Sequence, residues 1–182
     1  DMGEYFGSQP ISTEDIRTIS YSSYDAVIIS DYEKGFIDHN AGLEISNICQ
    51  ENNIPLFVDS KKVDLSCFNK AIIKINEHEN EKVKKFPKDY ELVVTKGSLG
   101  ASYNDKLFPA IHSNIDNLQI SRDYKRIRNG NICGAGDSFI AGLACYYVIY
   151  QNLDDAINFG NKCAAVAVSN FGTHPIKVEE LI

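Results

Sequence analysis

Apolar residues come in short, dense runs, and the stretches between them carry apolar positions at helical spacing. Ala26–Ile29, Pro55–Val58, Ala71–Ile75 and Leu92–Val94 are rich in β-branched residues and bounded by polar ones, which predicts four buried strands. Between the first two, residues 40–53 predict a helix with Leu43, Ile45 and Ile48 as its inner positions. Residues 1–24 form a polar lead-in, with a short helix or turn near Ile16–Ile19. Ala101–Tyr103 and Leu107–Ile111 flank Asn104-Asp105 and predict a hairpin. Residues 112–130 are polar and aperiodic, which predicts an exposed loop. Residues 139–147 are apolar on nearly every face and predict a buried helix. A final helix near 153–169 carries a small-residue stripe at Ala156, Gly160, Cys163, Ala164 and Ala167, which permits close packing. Strands alternating with helices predict an α/β fold with a mainly parallel sheet covered on both faces.

Ligands on such sheets bind outside the carboxyl ends of the strands. Polar residues cluster at those ends. Asp31 follows the first run, Asp59 and Lys61 the second, Asn76 and Glu79 the third, and Thr95 and Lys96 the fourth. Residues 131–139 add a second signal, because Gly134-Ala135-Gly136-Asp137 opens the apolar helix. First-turn amides lack intrahelical partners and the helix dipole favours negative charge, so a phosphate fits there. Asp137 is a carboxylate where an anion belongs, which suits an acid steering a hydroxyl onto a phosphate. An ordinary Gly-rich turn with Asp137 as a helix cap is the plainer alternative. A dinucleotide fingerprint does not fit, since only two of its three glycines are present and a polar segment precedes them.

Composition narrows the class. A net charge of −7 argues against a nucleic-acid surface, yet leaves room for a nucleotide held by amides and a lysine or two. The five cysteines show no C-x-x-C pairing, so reduced thiols in a cytoplasmic protein are the simple reading. No apolar stretch approaches a membrane span.

Gly134-Ala135-Gly136-Asp137 followed by Ser138-Phe139 resembles the D-T-x-G-A-G-D-x-F signature of the ribokinase-like (PfkB) sugar kinases. Val27–Gly35 and Asn158–Val168 resemble more narrowly the heptose 7-phosphate kinases of lipopolysaccharide precursor synthesis. The resemblance runs from about Asp25 to the C-terminus. It implies a three-layer ribokinase-like fold, with residues 25–182 as the C-terminal nucleotide-binding part, lacking the N-terminal strands and lid. It implies ATP and Mg2+ as cofactors, a sugar phosphate as acceptor, and a second copy or partner chain over the absent part.

The resemblance also implies roles. Asp137 takes the proton of the sugar hydroxyl, and the amides of Gly134, Ala135 and Gly136 stabilise charge on the transferred group. Asn76 and Glu79, an N-x-x-E element, organise magnesium and the phosphates. Thr95, Lys96, Gly97 and Gly100 form the nucleotide-side turn, and Asn161 lies near the adenine pocket. Lys61 meets a phosphate, while Asp31 and Lys34 face the substrate. Each has a plainer alternative: a solvated acidic helix start for Asn76–Glu81, a turn before a hairpin for Thr95–Gly100, exposed lysines at 34 and 61, and a helix-surface amide at 161. Asn131 and Cys133 depart from the signature's usual Asp and Thr. Together with the absent N-terminal part they leave a second reading open, a non-catalytic nucleotide-binding or interaction module descended from such a kinase.

Overall fold

The computed structural model describes residues 8–111, 134–170 and 174–181. Residues 112–130, where sequence predicts a loop, and Asn131 and Cys133 lie outside the described residues. The chain divides into two compact units, Asp1–Val94 and Thr95–Ile182. Among the described residues the strands are ordered in the sheet as they are in the chain.

In the first unit, α1 (Thr13–Thr18) leads to β1 (Val27–Asp31). α2 (His39–Glu51) connects β1 to β2 (Leu56–Ser60), and β3 (Ala71–Asn76) follows. β1 runs parallel to β2, and β2 to β3, with Asp31 level with Ser60 and Asp59 level with Lys74. β3 buries five residues in succession, as strands covered on both faces do. The short α3 (Glu77–Lys82) and β4 (Tyr90–Thr95) complete the unit.

α2 starts at Asp38, whose carboxylate accepts the Ala41 N–H at 2.7 Å. Its buried face is Ala41, Gly42, Ile45, Ser46 and Cys49. Of the three inner positions expected from sequence, Ile45 is buried and Ile48 packs partly against the core, but Leu43 is 42% exposed. The correction has a steric cause. A Cβ at Gly42 would lie 2.7 Å from Cys67 Sγ and 2.9 Å from Phe68, so the helix approaches along its small residues and the bulky leucine turns outward.

The second unit opens with the hairpin β5 (Ala101–Tyr103) and β6 (Lys106–Phe108). Its turn residues Asn104 and Asp105 both take positive φ, as a two-residue loop with the twist of the flanking strands requires. Helices α4 (Ala135–Tyr150) and α5 (Leu153–Ser169) follow. A Cβ at Gly142 would meet Cys163 Sγ at 2.5 Å, and one at Gly160 the Phe139 carbonyl at 3.0 Å, so the expected small-residue stripe is the seam between these helices. Within the expected buried run 139–147, α4 is buried over Phe139–Ala144 apart from Ala141, but Cys145 is exposed and Tyr146 and Tyr147 are half-buried.

Candidate active site

The polar residues near the strand ends of the first unit are each engaged by local partners. Asp31 closes β1 and is 5% exposed. Its Oδ1 accepts the Glu33 N–H at 2.9 Å, and its Oδ2 accepts the Ser60 hydroxyl at 2.9 Å. The Lys62 ammonium lies 3.2 Å from Oδ2. Both carboxylate oxygens are therefore engaged, and a buried charge of this kind needs such partners. The network fixes the following turn, where Glu33 and Gly35 take positive φ and Lys34 is exposed. Lys61 donates its N–H to the Asp31 carbonyl at 3.0 Å and holds its ammonium 4.3 Å from the centre of the Tyr32 ring.

Asp59 lies within β2 and not past its end. It pairs with Lys74 at 2.6 Å, and Lys74 is 5% exposed. Sequence reasoning passed over Ser60, Lys62 and Lys74. For Lys74 a signal was present, because a lysine inside an otherwise apolar strand demands a buried partner.

Asn76 closes β3 and caps α3. Its Oδ1 accepts the Glu79 N–H at 2.8 Å, while Glu79 Oε2 accepts the Asn76 N–H at 2.8 Å, a reciprocal capping box. This leaves one Glu79 oxygen outside the box. No group of three or more His, Cys, Asp or Glu at metal-holding distance occurs among the described residues. The pair lacks the donors of an all-protein cage but suits Mg2+, which keeps most of its waters and uses one or two carboxylates beside substrate phosphates.

In the second unit Thr95 ends β4 and Lys96 donates its N–H to the Gly100 carbonyl at 2.7 Å, closing a turn over Gly97–Leu99. Gly100 takes φ 103° and ψ −131°. A Cβ there would sit 2.1 Å from the Phe108 carbonyl oxygen, whereas one at Gly97 would meet nothing within 4 Å. Asn161 is not a surface residue. It is 5% exposed, and its amide donates to the Phe108 carbonyl at 3.0 Å and the Pro109 carbonyl at 3.3 Å.

α4 begins at Gly134, an N-cap in the left-handed region at φ 84° with open space where a side chain would project. The first intrahelical bond is Ser138 N–H to the Gly134 carbonyl at 2.8 Å, so the amides of Ala135, Gly136 and Asp137 precede the helical ladder. Asp137 is exposed in the first turn and is not the cap. The arrangement combines a row of N–H donors with a carboxylate beside them, which can receive an anionic group and orient a hydroxyl toward it.

Residues 37–180 match the family described as pfkB family carbohydrate kinase. The chain is similar to the bifunctional protein HldE of Sulfurimonas denitrificans, with 26% identity covering 88% of this chain and 35% of that protein. Its similarity to HldE of Granulibacter bethesdensis is 31%, covering 86% and 36%. The chain thus spans about a third of the length of these curated relatives. Among solved structures, Arabidopsis thaliana ribokinase complexed with ribose and ATP matches with a TM-score of 0.64 at 15% identity, covering 92% of this chain and 56% of that one. Thermotoga maritima ribokinase matches at 0.59 and 17%, covering 93% and 59%. At such identities the likeness carries the fold, a ribokinase-like α/β architecture with a mainly parallel sheet.

Proposed function

The chain belongs to the pfkB family of carbohydrate kinases, and from that membership we propose that it carries the nucleotide-binding part of an ATP-dependent kinase acting on a sugar phosphate. The acceptor is heptose 7-phosphate, in the synthesis of nucleotide-heptose for lipopolysaccharide. Support for the acceptor comes from the similarity to HldE proteins. The observation that carries the phosphoryl-transfer reading is the α4 start, where a side-chain-free cap and unladdered amides adjoin an exposed carboxylate.

In this reading Asp137 orients the sugar hydroxyl and takes its proton as the oxygen attacks the γ-phosphorus. The amides of Gly134, Ala135 and Gly136 receive charge developing on the transferred group, each typically worth about 3 kcal/mol. Asn76 and Glu79 would hold Mg2+ through its waters, and the ion would neutralise phosphate charge. Thr95, Lys96 and Gly97 line the nucleotide side, and Lys61 meets a phosphate. Gly100 and Asn161 serve the nucleotide side through the fold of the turn. Lys34 faces the acceptor from the turn that Asp31 fixes, so Asp31 contributes through position and not by contact.

Asp137→Asn tests the assignment. In the complete enzyme, turnover with ATP and heptose 7-phosphate falls about a hundred- to ten-thousand-fold, while ATP affinity stays within a few-fold. Comparable turnover in the variant sinks it.

A further inference from the structure

We infer that Tyr32 is a positioning residue for Lys61, holding its ammonium ready for a phosphate group through the face of the aromatic ring. The inference rests on the kinase reading above, in which Lys61 meets a phosphate. Two adjacent lysines follow β2, and the structure gives them different work. Lys62 is committed to the buried Asp31: its ammonium lies 3.2 Å from Oδ2, and its N–H donates to the Ser60 hydroxyl oxygen at 3.2 Å. Lys61 has no carboxylate partner among the described residues, and its ammonium stands 4.3 Å from the centre of the Tyr32 ring. Both ends of this contact are anchored. Lys61 donates its backbone N–H to the Asp31 carbonyl at 3.0 Å, which sets it beside the start of the turn that carries Tyr32. Asp31 Oδ1 accepts the Glu33 N–H at 2.9 Å, an Asx turn that bends the chain around Tyr32. Further along, Ser8 donates its N–H to the Lys34 carbonyl and Ile11 to the Phe36 carbonyl, both at 2.9 Å. The ring thus stands on backbone held from two sides, with a flexible lysine stem laid against it.

A ring face suits this task better than a carboxylate. It attracts the ammonium without neutralising it, so the full charge stays available to an incoming phosphate. An aspartate in the same place would compete with that phosphate for the same donors. Lysine carries much rotamer freedom, which a ligand must remove when it orders the side chain. A side chain already confined over the ring loses less, and binding strengthens without any new contact to the ligand. The sign of the effect follows. The contact persists in the complex, and removing the ring weakens phosphate binding. A ring that merely parked the lysine away from the ligand would do the opposite.

Steady-state kinetics of the complete enzyme, with ATP and heptose 7-phosphate varied in turn, tells which phosphate-bearing reactant Lys61 meets. Lys61→Met raises the KM of one reactant about tenfold or more. Tyr32→Leu raises the same KM about two- to fivefold, with less effect on kcat. Tyr32→Phe, which keeps the ring face, restores the wild-type constant. In the Lys61→Met background Tyr32→Leu adds nothing further, because the ring acts through that lysine alone. A second reading needs no turnover. In enzyme carrying isotope-labelled lysine, the Lys61 ε-methylene protons resonate upfield under the Tyr32 ring current, and they return to the ordinary lysine position in Tyr32→Leu. An unchanged or lowered KM in Tyr32→Leu, an equal rise in the Lys61→Met background, or unshifted ε-methylene protons in the wild type overturns the positioning role. If Lys61→Met leaves both constants unchanged, the phosphate role of Lys61 falls first, and this inference with it.

Discussion

Replacing Gly100 with alanine separates a glycine required by the fold from one that leaves room for a ligand. The residue sits at φ 103°, ψ −131°, a region open essentially to glycine. Forcing an L-residue into such a conformation costs about 1–3 kcal/mol. The added methyl also meets three backbone atoms, at 2.1, 2.5 and 2.7 Å. None belongs to a flexible side chain. The Phe108 oxygen is held by Asn161, the Ala110 nitrogen by Leu99, and Gly100 itself by Lys96 and by its neighbour's pairing in the hairpin. Overpacking of that kind adds about 1–3 kcal/mol, giving about 2–6 kcal/mol in all. Gly97→Ala is the control. It takes φ 55° in open space, so only the left-handed penalty of about 1–2 kcal/mol applies.

Against a domain stability of about 5–15 kcal/mol, the Gly100 variant loses a large share and the Gly97 variant a small one. Urea unfolding followed by circular dichroism reads the difference, supported by tyrosine fluorescence, since the chain has ten tyrosines and no tryptophan. A Gly100→Ala loss no larger than that of Gly97→Ala would mean that residues 108–110 yield easily, and the close packing at Gly100 would be refuted as a constraint.

Asp59→Asn leaves the Lys74 ammonium buried without its ion-pair partner's charge and destabilises by about 3–5 kcal/mol; chemical denaturation checks it, and a loss under about 1 kcal/mol contradicts the pairing. Burial pushes the Cys49 and Cys67 thiols up to about 11 from 9.0, so the unfolded chain ionises first and stability falls between pH 9 and 11, by up to about 1.4 kcal/mol per pH unit for each thiol. The Cys49→Ala, Cys67→Ala double variant flattens that slope, and an unchanged slope refutes the cause. Glu79→Gln raises the magnesium concentration for half-maximal activity with little effect on thermal stability; unchanged magnesium dependence reduces the pair to a helix start.

Strand positions were legible because β-branched runs have few other uses in a covered sheet, yet their ends were not. β1 extends to Asp31 and β2 to Ser60, past the apolar residues that announce them. Periodicity counts such polar residues against a strand. The structure keeps them extended because Asp31 and Ser60 stand level on neighbouring strands and bond to each other. A partner 29 residues away satisfies the carboxylate, and local sequence carries no trace of it. Leu43 failed for a related reason. Hydropathy ranks it above Ala41 and Gly42, but close approach to Cys67 and Phe68 selects size over hydropathy.

The candidate site divides along the same line. The helix start at Gly134-Ala135-Gly136-Asp137 was readable because the glycine-rich turn and the apolar run after it are local signals. The roles of the two glycines in the Thr95–Gly100 turn were not, since Gly97 and Gly100 look alike in sequence and both take positive φ. Only the fold distinguishes them: one faces open space and the other is packed against the chain's own backbone. Asn161 is hidden for the same reason, its two acceptors lying more than fifty residues upstream at a strand exit. Where a residue's role depends on its own turn of helix, spacing reveals it. Where the role is to hold distant backbone in place, the same amide reads as an ordinary surface group until the strand exit is folded against it.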